Sequence, residues 1–215
     1  SGRAMGTFAE DAAREYQFTR EAQDEYAIES LRRANAAITG GAFEREVVPV
    51  TVTTRKGEES VGTDEQPGKA NPEKIPNLKP AFAKDGTITA ANPGSTRAGA
   101  GGMVLTRMSI PERLGVKPVA RIASHPAHAQ EPAKFTSAPV PALRKALEKA
   151  GWDAGDVDLY EVNEAFACVA MIAMRDLDIG RDRINVHGGA TALGHPIGAS
   201  CARIMAILIS VLQAH

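Results

Sequence analysis

One segment constrains the fold of this chain more than any other: residues 185–203, which read NVHGGATALGHPIGASCAR. It joins a short β-branched stretch to an apolar helical pattern at residues 200–213 through a glycine-rich linker. In α/β proteins, the loops that lead from a strand into a helix present backbone amides and side chains to ligands. The segment therefore predicts an α/β fold with a candidate site at this junction.

The rest of the chain also alternates between helix-like and strand-like patterns, which favours a layered α/β fold. Thr19 suits the N-cap of the second of two helical segments within residues 8–39, and Pro141 suits the first position of another helix. Residues 55–80 are rich in proline, glycine and charge, which predicts an exposed loop. Strands are predicted at residues 47–54, 87–89, 119–123, 157–162 and 184–186, and a further helix at residues 164–177.

The composition of the 215 residues argues against several classes of partner. A net charge of -1 gives no long-range attraction for nucleic acid. The longest apolar run, residues 204–212 with one serine, is shorter than the roughly 20 residues of a membrane-spanning helix. Cys168 and Cys201 have neither metal-ligand nor disulfide-scaffold spacing, which fits a reducing compartment. We therefore expect no nucleic-acid partner, no membrane partner and no metal.

His195 is the candidate for proton transfer in the glycine-rich segment. It lies between Gly194 and Pro196 on a constrained turn, and an imidazole held at the start of a helix suits acid–base chemistry near neutral pH. A loop histidine that only hydrogen-bonds to backbone would have the same pattern. The spacing alone leaves both interpretations open.

Asn163 and Glu164 stand where a predicted strand ends and a predicted helix begins. There the asparagine amide can orient a water or polarise a carbonyl oxygen, and Glu164 suits the positive end of the helix dipole. The alternative is that Asn163 only caps the helix. Both roles stay open from the spacing alone.

Together, the run Asn163-Glu164-Ala165-Phe166 and the later NVHGGATALGHPIGAS resemble the C-terminal half of thiolases, which condense or cleave acyl-coenzyme A thioesters. The similarity extends back, in the family's order, through APVPALRKALEKAG, LKPAFAKDGTITAAN, RKG at residues 55–57 and AREYQFTREAQDEYA. It covers nearly the whole chain. The resemblance implies an α/β, layered α-β-α-β-α thiolase-like fold, incomplete here, with a loop domain at residues 1–84, a remnant of the N-terminal half at 85–114 and a truncated C-terminal half at 115–215.

The resemblance also implies roles for individual residues. In thiolases, the histidine that matches His195 activates the nucleophilic cysteine and helps to hold the thioester oxygen. The asparagine that matches Asn163 fixes a water that completes the oxyanion site. The residues expected to contact substrate are Arg55 at the adenine-phosphate end of coenzyme A, Phe82 near coenzyme A, Ala165 and Phe166 along the pantetheine tunnel, and Phe135 at the acyl pocket. For Phe82 and Phe166, ordinary core packing is the alternative.

Thiolases use a nucleophilic cysteine from the N-terminal half and an acid–base cysteine in a Cys-x-Gly-Gly-Gly segment, and neither segment is present. Cys201 stands where the family usually has glycine, and Cys168 lies in the helix after Asn163, so neither inherits a catalytic role. The chain also starts at Ser1 and stops at His215 within a helical pattern, which indicates a piece of a longer polypeptide. We therefore expect a thiolase-type acyltransferase whose nucleophile lies outside these residues, and no turnover by the chain alone.

The resemblance further implies coenzyme A as substrate, no separate cofactor, and a homo-oligomer, either dimer or tetramer. The main alternative function is a non-catalytic thiolase-like protein that binds coenzyme A or a protein partner. The presence of both cysteines in the intact polypeptide would distinguish the two. A ketoacyl synthase is disfavoured because those enzymes use a different histidine arrangement. We expect a cytoplasmic location, with mitochondria and peroxisomes as alternatives, and the acyl-chain preference and reaction direction stay open.

Overall fold

The computed structural model describes residues 2–214, and the termini Ser1 and His215 lie outside the described residues. Two helices open the chain, α1 (Met5–Glu15) and α2 (Arg20–Thr39). The Thr19 side chain accepts a hydrogen bond from the backbone N–H of Ala22 at 3.1 Å. Because this bond satisfies one of the free amides at the start of α2, the predicted cap is confirmed. None of the described helices is both long and apolar enough to cross a membrane.

An exposed β-hairpin follows α2. Its strands β1 (Val50–Thr54) and β2 (Gly57–Val61) pair antiparallel, and all of their residues are exposed. The exposed loop predicted at residues 55–80 is therefore wrong in part, since this stretch contains β2, α3 (Glu65–Lys69) and a 3-10 helix (Pro72–Asn77). Strand β2 was not predicted because neither face of the hairpin is buried. Its sequence therefore lacks the alternation of apolar and polar residues that indicates a strand.

The helices of the later part of the chain are separated by long irregular segments. This part contains α4 (Ser109–Leu114), α5 (Pro139–Ala150), α6 (Ala167–Leu177), α7 (Ala190–Leu193) and α8 (Ser200–Ala214), with 3-10 helices at Pro132–Ser137, Ala154–Asp156 and Arg181–Arg183. Two helices begin at other residues than predicted. Helix α5 includes both Pro139 and Pro141, because a first turn has no hydrogen bond for proline to break. Helix α6 begins only at Ala167, because Phe166 is extended with φ -143° and ψ 154°.

Most of the predicted sheet is not formed among residues 2–214. Residues 87–89 and 119–123 are irregular, and those at 119–123 are exposed. A strand needs a hydrogen-bonded neighbour, so both predictions are wrong for the described chain. The predicted strands at residues 157–162 and 184–186 meet in a single parallel bridge between Tyr160 and Ile184.

The side chain of Asn185 extends this bridge by one step. Its Oδ1 accepts a hydrogen bond from the Val162 N–H at 2.8 Å, and its Nδ2 donates to the Val162 carbonyl at 2.8 Å. Asn185 is buried, and its φ of 47° lies in the left-handed region that asparagine tolerates better than most residues. The segment that leads to Asn163 is thereby attached to the segment that leads to His195.

Helix α6 lies at the centre of the main hydrophobic core. It packs against α1, α2 and α5, and Ile172 on its inner face is fully buried. Burial of a side chain of this size contributes about 1.5–3 kcal/mol. A second core lies between α2, α7 and α8, and its fully or nearly buried residues include Leu31, Ala34, Leu193, Ile207 and Val211. Because α2 borders both cores, it lies beneath the loops that carry the candidate site.

Candidate active site

The turn that carries His195 lies between α7 and α8. Its Gly194 has a φ of 95°, and an added Cβ would lie only 2.6 Å from the Cγ of Arg97, so both conformation and space favour glycine. The His195 N–H donates to the Ser95 carbonyl at 2.7 Å, and His195 forms an isolated parallel bridge with Thr96. The segment around Ser95 therefore holds this turn through its backbone.

The two ring nitrogens of His195 face different partners. Its Nδ1 lies 2.6 Å from the Oγ of Ser200, and that Oγ lies 3.1 Å from the Pro196 carbonyl oxygen. Since a carbonyl only accepts, the Ser200 hydroxyl donates to Pro196 and accepts from Nδ1–H. This network assigns the neutral tautomer with its proton on Nδ1 and its lone pair on Nε2.

The Nε2 atom faces the side-chain amide of Asn163, whose Nδ2 lies 3.4 Å away. The two side chains are therefore directly adjacent. The Oδ1 of Asn163 is buried and has no hydrogen-bond partner among residues 2–214. Phe166 is the N-cap residue of α6, with no side-chain cap bond, so Asn163 does not cap this helix. Because the Asn163 Nδ2 carries two hydrogens, one can face Nε2 while the other is left to donate to a second acceptor.

The surroundings of His195 favour its neutral form. Burial lowers the pKa of the imidazole below its ordinary value, and the positive charge of Arg203 on α8 lowers it further. Burial also lowers the pKa of the Arg203 guanidinium, whose three nitrogens have no hydrogen-bond partner among residues 2–214. A neutral imidazole with its lone pair on Nε2 can accept a proton at pH 7.

Glu164 is a fully buried connector between α2 and the site loops. Its Oε1 accepts hydrogen bonds from the Tyr26 hydroxyl and the Asn185 amide, each at 2.8 Å. Its Oε2 accepts from the Ser30 hydroxyl at 2.9 Å, the Thr191 N–H at 3.0 Å and the Thr191 hydroxyl at 2.6 Å. Glu164 thus links α2 to α7. The sequence indicated that Glu164 would complement the positive end of the helix dipole at the start of α6, and in the structure it does not.

Three phenylalanine rings lie beside the Asn163 loop. The Phe166 ring centroid is 6.4 Å from that of Phe82 and 6.0 Å from that of Phe135. Phe166 is buried, whereas Phe82 is 37% exposed. The carbonyl of Ala165, which lies between Asn163 and these rings, accepts a hydrogen bond from the Gly94 N–H at 3.0 Å. The structure therefore brings four of the five predicted substrate-contacting residues together next to Asn163.

Arg55 is the exception, because it lies at the exposed turn between β1 and β2. Among the described residues it makes no hydrogen bond or ion pair with the other candidate residues. The two cysteines also stand apart from the site. Cys168 is fully buried, which raises the pKa of its thiol to about 12, and Cys201 is exposed on α8.

Comparison with known protein families identifies the chain. The model of "Thiolase, N-terminal domain" matches residues 1–109, and that of "Thiolase, C-terminal domain" matches residues 116–215. The chain belongs to the thiolase family. Its α/β fold is that of solved thiolases: the crystal structure of the Bacillus anthracis acetyl-CoA acetyltransferase matches with a TM-score of 0.90 and 39% identity, over 99% of this chain and 54% of that one.

Two further thiolases show the same relationship. The Acat5 thiolase from Ascaris suum, solved in complex with coenzyme A, matches with a TM-score of 0.87 and 40% identity, over 97% of this chain and 54% of that one. The acetyl-CoA acetyltransferase of Yarrowia lipolytica is 46% identical over 209 residues, which are 97% of this chain and 53% of that protein. The chain thus spans about half the length of the curated relatives it matches.

The sequence did not reveal the residues that hold the candidate site residues in place. Ser200 was within the recognised segment, but its bond to His195 depends on a turn that brings the start of α8 back to the imidazole. Ser95 acts through its backbone carbonyl, which leaves no side-chain signal. The position of Ser200 five residues after His195, at the predicted start of a helix, is the signal that would have identified it.

Proposed function

We propose that this chain is part of a thiolase-type acyltransferase, which condenses or cleaves acyl-coenzyme A and 3-ketoacyl-coenzyme A thioesters through an acyl-cysteine. The observation that carries the proposal is the 3.4 Å approach of Asn163 Nδ2 to His195 Nε2. It places a neutral base beside an amide donor where two loops meet. The printed names of two relatives, an acetyl-CoA acetyltransferase and a thiolase in complex with coenzyme A, support the substrate class.

In the first half-reaction, His195 Nε2 accepts the thiol proton of a cysteine that lies outside these 215 residues. The thiolate attacks the thioester carbonyl, and its oxygen becomes an oxyanion. The protonated Nε2–H and a water held by Asn163 Nδ2 donate hydrogen bonds to this oxygen. Collapse of the intermediate breaks the carbon–sulfur bond to coenzyme A, the departing thiolate takes the proton from His195, and the acyl group stays on the cysteine.

In the second half-reaction, the acyl-cysteine transfers its acyl group to a second substrate. For condensation, a base removes the α-proton of an acyl-coenzyme A, and the resulting carbanion attacks the acyl-cysteine carbonyl. Collapse of this intermediate breaks the carbon–sulfur bond to the cysteine, which leaves as the thiolate and releases the 3-ketoacyl-coenzyme A. For cleavage, the same steps run in reverse. Because cleavage retraces the steps of condensation, His195 and Asn163 can stabilise the same negatively charged oxygen in both directions.

The substrate residues belong to the same proposal. Phe82, Ala165 and Phe166 border the path of coenzyme A, and the Phe135 ring beside Phe166 narrows the acyl end, which favours short chains. Arg55 meets the adenine-phosphate end only if the exposed hairpin reaches the coenzyme. Coenzyme A acts here as substrate, with no separate cofactor. The proposal includes a homo-oligomer and a cytoplasmic location, and the free state of both cysteines supports a reducing compartment.

The experiment is a segment exchange, in which these residues replace the matching segment of the Yarrowia lipolytica acetyl-CoA acetyltransferase. We expect the chimera to cleave acetoacetyl-coenzyme A with free coenzyme A. Asn163→Ala should lower kcat by about 10² to 10³, the usual effect of losing an oxyanion donor, and His195→Ala should lower it by more. Glu25→Ala, at an exposed position of α2, is the control.

The purified 215-residue chain alone should show no turnover. Neither Cys168, which is buried, nor Cys201, which has no bond to His195, provides an activated thiolate. Turnover by the chain that is abolished by Cys201→Ser or Cys168→Ser would contradict the assignment of the nucleophile. A folded chimera that binds coenzyme A without turnover would favour the non-catalytic alternative.

A further inference from the structure

The side chain of Gln66, on the short helix α3, contacts both segments that hold His195. Its Nε2 donates to the Thr191 carbonyl at 3.1 Å. Its Oε1 accepts hydrogen bonds from the Ser95 hydroxyl and from the Arg97 Nε–H, the latter at 3.1 Å. One amide therefore joins three parts of the chain that are far apart in sequence.

The orientation of the Gln66 amide is determined by its partners. Two donors face Oε1, and the Thr191 carbonyl, which only accepts, faces Nε2. An amide rotated by 180° would place N–H groups against the Arg97 Nε–H and oxygen against oxygen. The three bonds are thus mutually consistent in one orientation, which makes Gln66 a rigid connector.

These contacts lie on either side of the His195 turn. Ser95, whose hydroxyl bonds to Gln66, accepts the His195 N–H on its backbone carbonyl at 2.7 Å. Thr191 lies in the four-residue helix α7 that ends just before Gly194, and although the Ala190 carbonyl accepts the Gly194 N–H, a helix this short leaves carbonyls such as that of Thr191 without an internal partner. Gln66 satisfies one of these carbonyls from outside, while Glu164 binds the Thr191 hydroxyl from inside.

We propose that Gln66 is a positioning residue for His195, which holds the Ser95 segment and α7 at the spacing that aims Nε2 at Asn163. The catalytic effect of Gln66 rests on the proposed function, whereas its effect on the position of the His195 turn does not. It predicts that the Gln66 amide sets the order and the burial of the His195 turn without contact with substrate.

The test compares the 215-residue chain with Gln66→Met, which keeps the side-chain length and removes all three bonds. We expect the His195 amide, bonded to Ser95, to exchange with deuterium at least about tenfold faster in Gln66→Met. We also expect the His195 imidazole pKa, followed by NMR, to rise toward its ordinary value, because a looser turn admits water. The Asn185 amide, bonded to the Tyr160 carbonyl at 3.0 Å in the other bridge, should not change.

Two further variants separate positioning from general stability. Gln66→Glu keeps the oxygen that faces Ser95 and Arg97 but sets its second carboxylate oxygen against the Thr191 carbonyl, so it should restore the protection of the His195 amide only in part. Lys69→Met, on the same helix with an exposed side chain, should behave like the unmodified chain. If Gln66→Met folds poorly, Ser95→Ala is the alternative variant. It removes the hydrogen bond between the Ser95 hydroxyl and Gln66 but keeps the Ser95 carbonyl that accepts the His195 N–H, and it should show the same local effect.

Unchanged exchange and unchanged imidazole pKa in Gln66→Met would overturn the proposal. Equal acceleration at the His195 and Asn185 amides would do so as well, because it would indicate a loss of overall stability only. Neither result bears on the thiolase chemistry, which the segment exchange tests separately. Conversely, an inactive chimera would leave the NMR result for Gln66 in place.

Discussion

The Nδ1 atom of His195 lies 2.6 Å from the Oγ atom of Ser200. This contact decides which ring nitrogen carries the proton, because the Ser200 hydroxyl is already directed to the Pro196 carbonyl at 3.1 Å. A base needs its lone pair on the nitrogen that faces the substrate. The contact therefore determines where the lone pair of the imidazole lies.

Ser200→Ala should remove this preference for the Nδ1–H tautomer. We expect long-range 1H–15N NMR spectra of the chain to show a mixture of the two neutral tautomers of His195. In the chimera, kcat should fall by about tenfold or more, as is usual when the group that orients a catalytic histidine is lost. Cys201→Ser, at the next residue, is the control. An unchanged tautomer in Ser200→Ala would refute the assignment.

Glu164→Ala should cost at least about 3 kcal/mol of unfolding free energy, because it leaves several buried donors without an acceptor. Urea unfolding of the chain, followed by circular dichroism, measures this loss. Glu164→Gln should give an intermediate value, since its amide keeps one oxygen acceptor. Glu25→Ala, which is exposed on α2, should change stability by less than about 0.5 kcal/mol. A similar small change for Glu164→Ala would show that the buried network is not formed.

Glu161 gives the stability a pH dependence of known sign. The pKa of its carboxyl is raised from 4.5 to about 8, mainly by burial and also by the negative charge of Glu164. Between these pH values the folded chain holds a proton that the unfolded chain releases. This contribution to stability is therefore fully present below about pH 4.5 and is lost as the pH rises to about 8.

Glu161→Gln should consequently unfold at higher urea concentration than the unmodified chain at pH 8.5, and at a similar concentration near pH 4.5. A gain of about 1–2 kcal/mol at the higher pH is expected. The titration of His195 has the opposite sign, since its lowered pKa destabilises the fold as the pH falls below about 6.5, but it is common to both proteins and cancels. Glu59→Gln, in the exposed hairpin, is the control and should unfold at the urea concentration of the unmodified chain at both pH values.

The two thiols should differ in reactivity by their burial. Burial raises the pKa of Cys168 to about 12, so little thiolate forms there at neutral pH, whereas Cys201 is exposed. Titration with a chromogenic disulfide should therefore modify Cys201 quickly and Cys168 only after unfolding. The Cys201→Ser chain should react only in denaturant. Rapid reaction of Cys168 in the native chain would show that α6 is not packed as described.

Phe135→Ala should widen the acyl end of the proposed pocket. In the chimera, the ratio of kcat/KM for medium-chain over short-chain 3-ketoacyl-coenzyme A should rise by about tenfold, which is typical for a change in apolar pocket volume. Trp152→Ala, with an exposed ring away from Phe166, is the control. An unchanged ratio would place Phe135 outside the acyl pocket.

The sequence predicted the helices and the site loops better than the sheet. Caps and apolar periodicity are local signals, so Thr19 marked the start of α2 and the pattern of residues 200–213 marked α8. The β-branched residues at 119–123 also gave a local signal, but a strand forms only where another strand pairs with it. Asn163 and His195 were identifiable from their loops, whereas Gln66 and Ser95 act through contacts that only the folded chain creates.

The side-chain bridge from Asn185 to Val162 has a consequence for how this chain tolerates changes in length. Two hydrogen bonds of 2.8 Å hold Asn185 and Val162 together. Asn163 lies one residue after Val162, and His195 lies ten residues after Asn185. An insertion or deletion in either interval would shift one of the paired groups while the bridge stayed in place. As this sequence diverges, the exposed hairpin should therefore gain and lose residues freely. The number of residues from Val162 to Asn163 and from Asn185 to His195 should stay constant.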